Sequence, residues 1–251
     1  MFNSEEYDDP ELYDKENGHY IPELTLLHKW ASDSQGTIID IACGTGRVKI
    51  PLAESGLQVL GVDVHQGMLN QAESNAAGLS IDWIQQDCTR LDLSVKSPLI
   101  YSAGNSFQHF LTNEDQDDLL SSVNRHLEED GIFIFNTRFP HADELLQPET
   151  EEYWRTYRDG EYKVDVSTIS RYDALQQIQH YTTIRTYKNS NDEAVDEKRT
   201  NISLRYVYPK EMERLLIAHG FEIVHLYQDW KETPVTNESY EMIYVCKKVR
   251  G

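Results

Sequence analysis

The feature that most constrains the fold of this chain is a glycine turn between two short apolar runs. The first run, residues 38–42, leads into the sequence Gly-Thr-Gly at residues 44–46. The second run, residues 59–62, ends in Asp63. A strand, a glycine turn, a helix and a second strand that ends in an acid form one unit of a doubly wound parallel sheet. The sequence therefore predicts a nucleoside pocket at the carboxyl edge of such a sheet, with Asp63 as a hydrogen-bond acceptor.

Further short apolar runs extend this pattern along the chain. The dipeptide Trp83-Ile84 is soon followed by Asp87, which repeats the order of strand and acid. The pattern predicts five parallel strands, at residues 37–42, 58–62, 81–85, 99–103 and 132–136. Two final runs, at residues 221–227 and 240–246, predict a closing antiparallel pair. We therefore expect a doubly wound, mostly parallel seven-stranded α/β sheet.

A different pattern interrupts this sheet after Pro140. Three runs rich in Thr, Ile, Val and Tyr alternate at period two, at residues 162–171, 176–187 and 200–208. They predict a small antiparallel β-sheet inserted at residues 141–208, between the two parts of the α/β domain at residues 1–140 and 209–251. The insertion is either a packing elaboration or a lid over the substrate site, and attachments of this kind often carry function.

Composition narrows the class of partner. The formal net charge of −20 argues against a nucleic-acid substrate, because phosphate binding normally needs a basic face. We expect no membrane partner and a cytoplasmic protein, since no apolar run approaches a membrane span and residues 1–6 lack the segments of a signal peptide. The three cysteines suit a reducing compartment, and their spacing predicts no metal site. The oligomeric state is left open.

The glycine turn resembles the donor-binding loop of the class I S-adenosylmethionine-dependent methyltransferases, an acid followed by Gly-x-Gly-x-Gly. The chain matches this motif at Asp40, Gly44 and Gly46, and it has Ala42 where the family has its first glycine. The resemblance is close over residues 36–140 and loose over the C-terminal part. Within the family, the chain looks most like small-molecule N-methyltransferases of the sugar-amine and glycine types.

The resemblance implies S-adenosylmethionine as the cofactor and assigns residues to its parts. Asp63 would bind the ribose hydroxyls, Asp87 the adenine amino group and Gly104 the methionine part, while Tyr13 in the acidic N-terminal segment would cover the donor. The full set of cofactor-binding residues that it implies is Tyr13, Asp40, Ala42, Cys43, Gly44, Gly46, Asp63, Val64, Met68, Asp87, Cys88 and Gly104. For Cys43 and Cys88, close packing is the simpler interpretation than a reactive thiol.

The acceptor side has weaker signals. His109 is a candidate general base, although a lone histidine near a helix start is more often structural. Other substrate candidates are Tyr20, Arg138, Arg205 and Trp230, with the arginines suited to a carboxylate or phosphate. Each of these residues has packing or a surface ion pair as its alternative role.

These observations predict a methyltransferase that acts on a small molecule, and they favour nitrogen over oxygen as the acceptor atom. One alternative is a nicotinamide-dependent oxidoreductase, which also places an acid such as Asp63 after its second strand. That class wants a third glycine where this chain has Lys49. The other alternative is a non-catalytic module that binds the donor without turnover.

Overall fold

The computed structural model describes residues 3–32 and 34–249. Residues 1–2 and 250–251, the ends of the predicted α/β domain, lie outside the described part of the chain, as does residue 33. The α-helices are α1 Pro10–Asn17, α2 Leu24–Ser32, α3 Lys49–Glu54, α4 Gln66–Asn75, α5 Asn113–His126, α6 Ala142–Leu145 and α7 Pro209–Ala218. Within these residues, no helix combines the length and the apolar character that crossing a membrane requires.

The central sheet has seven strands in the order β10-β11-β5-β4-β1-β2-β3. Its strands are β1 Ile38–Ile41, β2 Val59–Asp63, β3 Asp82–Gln85, β4 Ser97–Ser102, β5 Leu127–Arg138, β10 Phe221–Tyr227 and β11 Glu241–Lys248. The strands from β5 to β3 run parallel, and β11 pairs antiparallel with both β5 and β10. The predicted mostly parallel seven-stranded α/β sheet is therefore confirmed.

The apolar runs form parallel strands because helices cover both faces of the sheet. All four residues of β1 are buried, as are all five residues of β2. Two hydrophobic clusters fill the two sides, one including Phe133 and Phe135 and the other including Leu27 and Ile134. This arrangement brings the carboxyl ends of β1, β2 and β4 together at one edge.

A second, four-stranded antiparallel sheet lies between β5 and α7 in the sequence. Its strands, in the order β6-β7-β8-β9, are β6 Glu152–Asp159, β7 Tyr162–Asp173, β8 Ile178–Lys188 and β9 Ala194–Arg205. The expected small antiparallel sheet is present, but it has four strands where the sequence predicted three. The strand that was missed, β6, lies at an edge and exposes Tyr153 and Trp154, so it lacks the apolar alternation of a half-buried strand.

Candidate active site

A cavity of about 780 Å³ opens at the carboxyl edge of the central sheet. Its walls come from the ends of β1 and β2, the segments after β3 and β4, and the N-terminal residues. All but one of the predicted cofactor-binding residues line it, namely Tyr13, Asp40, Ala42, Cys43, Gly44, Asp63, Val64, Met68, Asp87, Cys88 and Gly104. This volume lies within the range of small-molecule sites, and its carboxylates and glycine backbone fit a nucleoside-type ligand.

The glycine turn adopts a backbone that L-residues with side chains rarely take up. Ala42 has a φ of 54° and Gly44 a φ of 56°, so both lie in the left-handed region. An alanine there costs about 1–2 kcal/mol relative to a relaxed backbone. Gly46, the one predicted cofactor residue outside the cavity wall, allows close packing, because a Cβ on it would lie 2.6 Å from the Trp83 ring.

Asp63 is held by backbone N–H groups on both of its oxygens. Gly44 N donates to Oδ2 and His65 N donates to Oδ1, each at 2.8 Å. Burial raises the pKa of the Asp63 carboxyl, and these two hydrogen bonds oppose that shift. The carboxylate is therefore fixed in orientation at the cavity wall, with further acceptor capacity for a ligand hydroxyl.

Asp87 begins a short 3₁₀ turn, Cys88–Arg90, and its Oδ1 accepts from Thr89 N at 2.9 Å. Burial raises the pKa of the Cys88 thiol to about 12 and that of the Cys43 thiol well above its ordinary range. Both cysteines are therefore protonated at neutral pH, as packing residues would be.

Asp40 and Lys49 are buried close to the cavity. The Tyr101 hydroxyl donates to Asp40 Oδ2 at 2.9 Å, and burial raises the pKa of Asp40 to about 7. The Lys49 ammonium lies 3.7 Å above the centre of the Trp83 ring and donates to the Asp82 carbonyl, and burial lowers its pKa to about 8. A long buried side chain thus occupies the position where a dinucleotide-binding loop needs a glycine.

The N-terminal arm, residues 3–17, covers one side of the cavity. Its residues Tyr7 and Tyr13 both line the cavity, with ring centroids 5.7 Å apart. Asp14, also on the arm, binds the Thr45 hydroxyl of the glycine turn and, at 2.8 Å, the Asn75 side chain. The arm therefore contacts the glycine turn directly.

The same arm is bound on its other side by the four-stranded sheet. Arg185 of β8, only 4% exposed, makes 2.8 Å contacts with Glu6 and Glu16 of the arm. The Tyr157 hydroxyl also donates to Glu16 at 2.9 Å. Sequence analysis did not single out Arg185, because nothing local distinguishes it from the other arginines of the insertion.

His109 lies at the end of a 3₁₀ turn, Ser106–His109, and lines the cavity. Its Nε2 is 2.9 Å from the Tyr7 hydroxyl. Burial lowers the pKa of His109 to about 4. At neutral pH the imidazole is therefore neutral: its Nδ1 accepts from the Asn3 amide at 3.4 Å, and its Nε2 donates to the Tyr7 hydroxyl.

The predicted substrate residues do not line this cavity. Arg138 binds Glu144 and the Tyr181 hydroxyl, and Arg205 binds Asn113 at 2.6 Å. Trp230 belongs to a hydrophobic cluster, while Tyr20 is 75% exposed.

Several wall residues were not predicted as site residues, although many of them are sequence neighbours of residues that were. They are Asn3, Ser4, Thr45, Arg47, Val48, His65, Gln66, Thr89, Ala103, Ser106, Phe110, Leu111, Thr112 and Asp115. Arg47 makes a two-pronged ion pair with Glu23, at 2.6 and 3.0 Å. The position of Arg47 just after the glycine turn was a signal available in the sequence.

Comparisons with known proteins agree with this geometry. Residues 38–131 match the family model described as a methyltransferase domain. The chain is 25% identical over 234 residues to the putative methyltransferase YqeM of Bacillus subtilis, covering 88% of each chain. It is 27% identical to the glycine/sarcosine N-methyltransferase of Aphanothece halophytica, covering 84% of this chain and 76% of that one.

The fold also matches a solved structure over nearly the whole chain. The structure of CalS10 with S-adenosylmethionine bound, an amino pentose methyltransferase from Micromonospora echinaspora, superposes with a TM-score of 0.76. The match covers 95% of this chain and 97% of that one at 14% sequence identity. At this identity, the superposition establishes the shared fold.

Proposed function

We propose that this protein methylates an amine of a small molecule, and that this molecule carries no carboxylate near the amine. The chain is a class I S-adenosylmethionine-dependent methyltransferase. S-adenosylmethionine, its methyl donor, supplies a methyl group that is already activated by the sulfonium charge. The protein therefore needs mainly to hold the acceptor nitrogen in line with the methyl carbon and the sulfur.

The charge of the cavity wall carries this proposal. Four aspartates line the cavity, at residues 40, 63, 87 and 115, while the one arginine among the described lining residues, Arg47, is already paired with Glu23. An acceptor carboxylate or phosphate would find no free guanidinium there. An amine gains positive charge as it is methylated, so an acidic wall stabilises that change.

The state of His109 supports nitrogen over oxygen as the acceptor atom. A hydroxyl acceptor needs a general base that takes up its proton near neutral pH. His109 has its pKa lowered to about 4, so it is a weak base, and its accepting nitrogen, Nδ1, already faces the Asn3 amide. A neutral amine has its own lone pair and needs no such base at the moment of attack.

We assign the donor contacts by position along the cavity. Asp63 is proposed to bind the ribose hydroxyls, Asp87 the adenine amino group, and Gly104 the methionine part. Tyr7 and Tyr13 are proposed to cover the donor, since aromatic faces favour a neighbouring cation.

We also propose that the four-stranded sheet, within the inserted region 141–208, acts as a lid through the N-terminal arm. The support is the buried Arg185, which links β8 to Glu6 and Glu16 on either side of the tyrosines of the arm. A lid of this kind would exclude water and orient the acceptor.

A small panel of acceptors tests the proposed function. Purified protein would be incubated with S-adenosylmethionine and, separately, D-glucosamine, ethanolamine, glycine or D-glucose, with methylated products detected by mass spectrometry. We expect methylation of D-glucosamine or ethanolamine and at least tenfold slower reaction with glycine, whose carboxylate meets the acidic wall. Faster reaction with glycine, or methylation of D-glucose alone, would contradict the proposal.

A further inference from the structure

A second polar group lies beside the cavity, where β4, β5 and β11 meet at the same edge of the central sheet. Its members are Asn105, which follows β4, Asn136 near the end of β5, and Glu241 at the start of β11. Asn105 stands between Gly104 and Ser106, both of which line the cavity. The donor assignment places the methionine part at Gly104, so this group lies next to the proposed methionine end of the donor.

The side chain of Asn136 fixes the geometry of this group. Its Oδ1 accepts from Asn105 N at 3.1 Å, and its Nδ2 donates to Asn105 Oδ1 at 3.0 Å and also to Glu241 Oε1. Both amide hydrogens are thus used, and they require an acceptor on each side. This paired contact holds Asn105 in the left-handed region, at a φ of 61°.

Glu241 has one oxygen left over. Its Oε2 accepts no hydrogen bond from the described residues, although the side chain is partly buried. Two nearby arginines form ion pairs with other glutamates. Arg138, which is opposite Glu241 in the pairing of β5 with β11, binds Glu144, and Arg47 binds Glu23. Oε2 is not among the buried side-chain atoms that lack a partner, so it is accessible from outside while Oε1 is held by Asn136. An accessible carboxylate oxygen in a fixed position can accept a hydrogen bond from a ligand.

The surroundings of Glu241 favour the protonated form of its carboxyl group. Burial raises the pKa of Glu241, and the carboxylates of Glu23 and Asp229 act in the same direction. The hydrogen bond from Asn136 and the charge of Arg138 oppose the shift.

The rim beside Glu241 is aromatic. Tyr240 is 58% exposed, and its ring stacks on His141 with centroids 4.6 Å apart. Exposed aromatic rings next to an acid suit a polar ring or chain that carries an amine.

We infer that Glu241 is the acceptor-binding residue of this enzyme, with Oε2 accepting the N–H of the acceptor amine. This inference rests on the proposed amine-directed function. The ammonium form of the acceptor gives a proton to Oε2, which frees the nitrogen lone pair. That lone pair forms the N–C bond as the C–S bond of the donor breaks, and the electron pair of the broken bond stays on sulfur.

The substitution Glu241→Gln separates this role from a structural one. Glutamine keeps an oxygen for Asn136, so the turn at Asn105 is retained, but it replaces the free oxygen with an NH₂ group that cannot accept. The matched control is Glu238→Gln, a nearby exposed glutamate. Both proteins would be assayed with D-glucosamine and ethanolamine across pH, with donor affinity measured by calorimetry.

We expect Glu241→Gln to lower kcat/KM for the amine at least tenfold and to remove the acidic limb of its pH profile, while donor affinity and the melting temperature stay unchanged. Glu238→Gln should behave as the unsubstituted enzyme. Full amine turnover by Glu241→Gln would overturn the role of Glu241 and leave the amine-directed function standing. An unsubstituted enzyme that methylates only hydroxyl or carboxylate-bearing acceptors would overturn both.

Discussion

Two walls of the same cavity are built in opposite ways. On the wall formed by the glycine turn, β2 and β3, backbone N–H groups of the same motif hold the acids: Asp63 is bound by His65 N and Gly44 N, and Asp87 by Thr89 N. On the wall formed by the N-terminal arm, side chains far apart in sequence hold one another, as with Arg185 and Glu16, 169 residues apart. The first wall is a local motif, whereas the second exists only in the folded protein.

This difference between the two walls indicates two roles: the local wall recognises the donor, and the wall formed by the arm closes the cavity. The local wall keeps its shape because strand pairing fixes it, with Cys43 N bonded to Val62 O at 3.1 Å. The arm has one 3₁₀ turn, Glu5–Tyr7, and one short α-helix, α1, and it depends on ion pairs with the four-stranded sheet. We therefore expect substitutions in the arm junction to change stability and closure, and substitutions in the local wall to change donor affinity.

The largest effect is expected for Arg185→Met. This change removes the only cation that pairs with Glu6 among the described residues and leaves Glu16 with Arg155 alone, at 3.5 Å. Breaking a buried ion pair in this way typically costs about 3–5 kcal/mol of unfolding free energy. Urea denaturation would measure it.

The control Arg199→Met, on the exposed face of β9, removes only a surface pair with Glu197 and should match the unsubstituted protein. Equal stability of the two variants would mean that the arm does not depend on Arg185.

Next in size is a pH effect through His109. Its pKa is about 4 in the folded protein against an ordinary 6.5, so the unfolded chain binds more protons between these values. Stability is therefore full above pH 6.5 and is lost as the pH falls toward 4, by at most about 3 kcal/mol. Urea denaturation at pH 7 and pH 4.5 should show a smaller difference for His109→Gln than for the unsubstituted protein. An identical difference in both would show that His109 does not carry it.

For the local wall, Asp63→Ala should lower donor affinity at least tenfold, because a hydrogen bond to a charged group contributes about 1.5–3 kcal/mol. Calorimetry with S-adenosylmethionine measures this, and Asp118→Ala, an exposed aspartate of α5, is the control. Circular dichroism would check that the variant remains folded. Unchanged donor binding in folded Asp63→Ala would contradict the proposed ribose contact.

The smallest effect is expected for Tyr7→Phe. It removes the 2.9 Å hydrogen bond to His109 and keeps the ring, so the loss should be about 1 kcal/mol in unfolding free energy. Comparison with Tyr20→Phe, whose side chain is largely exposed, isolates the bond from a general effect of losing a hydroxyl. A larger loss of unfolding free energy in Tyr20→Phe than in Tyr7→Phe would mean that contacts other than the bond between Tyr7 and His109 hold the arm closed.

Most of the central sheet was predictable because its signals are local. Continuous apolar runs predict buried parallel strands, and Gly44 with Gly46 marks the turn between β1 and α3. The strand β6 and helix α1 were not predicted. One is an exposed edge strand and the other a short polar helix, so their stability comes from contacts made after folding.

The sequence by itself determined the order of strands, the glycine turn and the acids that follow β2 and β3, since each depends on neighbours a few residues away. Tertiary structure alone decided that Tyr7 meets His109, that Arg185 binds the arm, and that Arg138 and Arg205 pair away from the cavity. It also placed Glu241 beside Asn136. The physical reason is that a side chain's partner depends on which strands become adjacent, and long-range pairing leaves no periodic trace in the sequence.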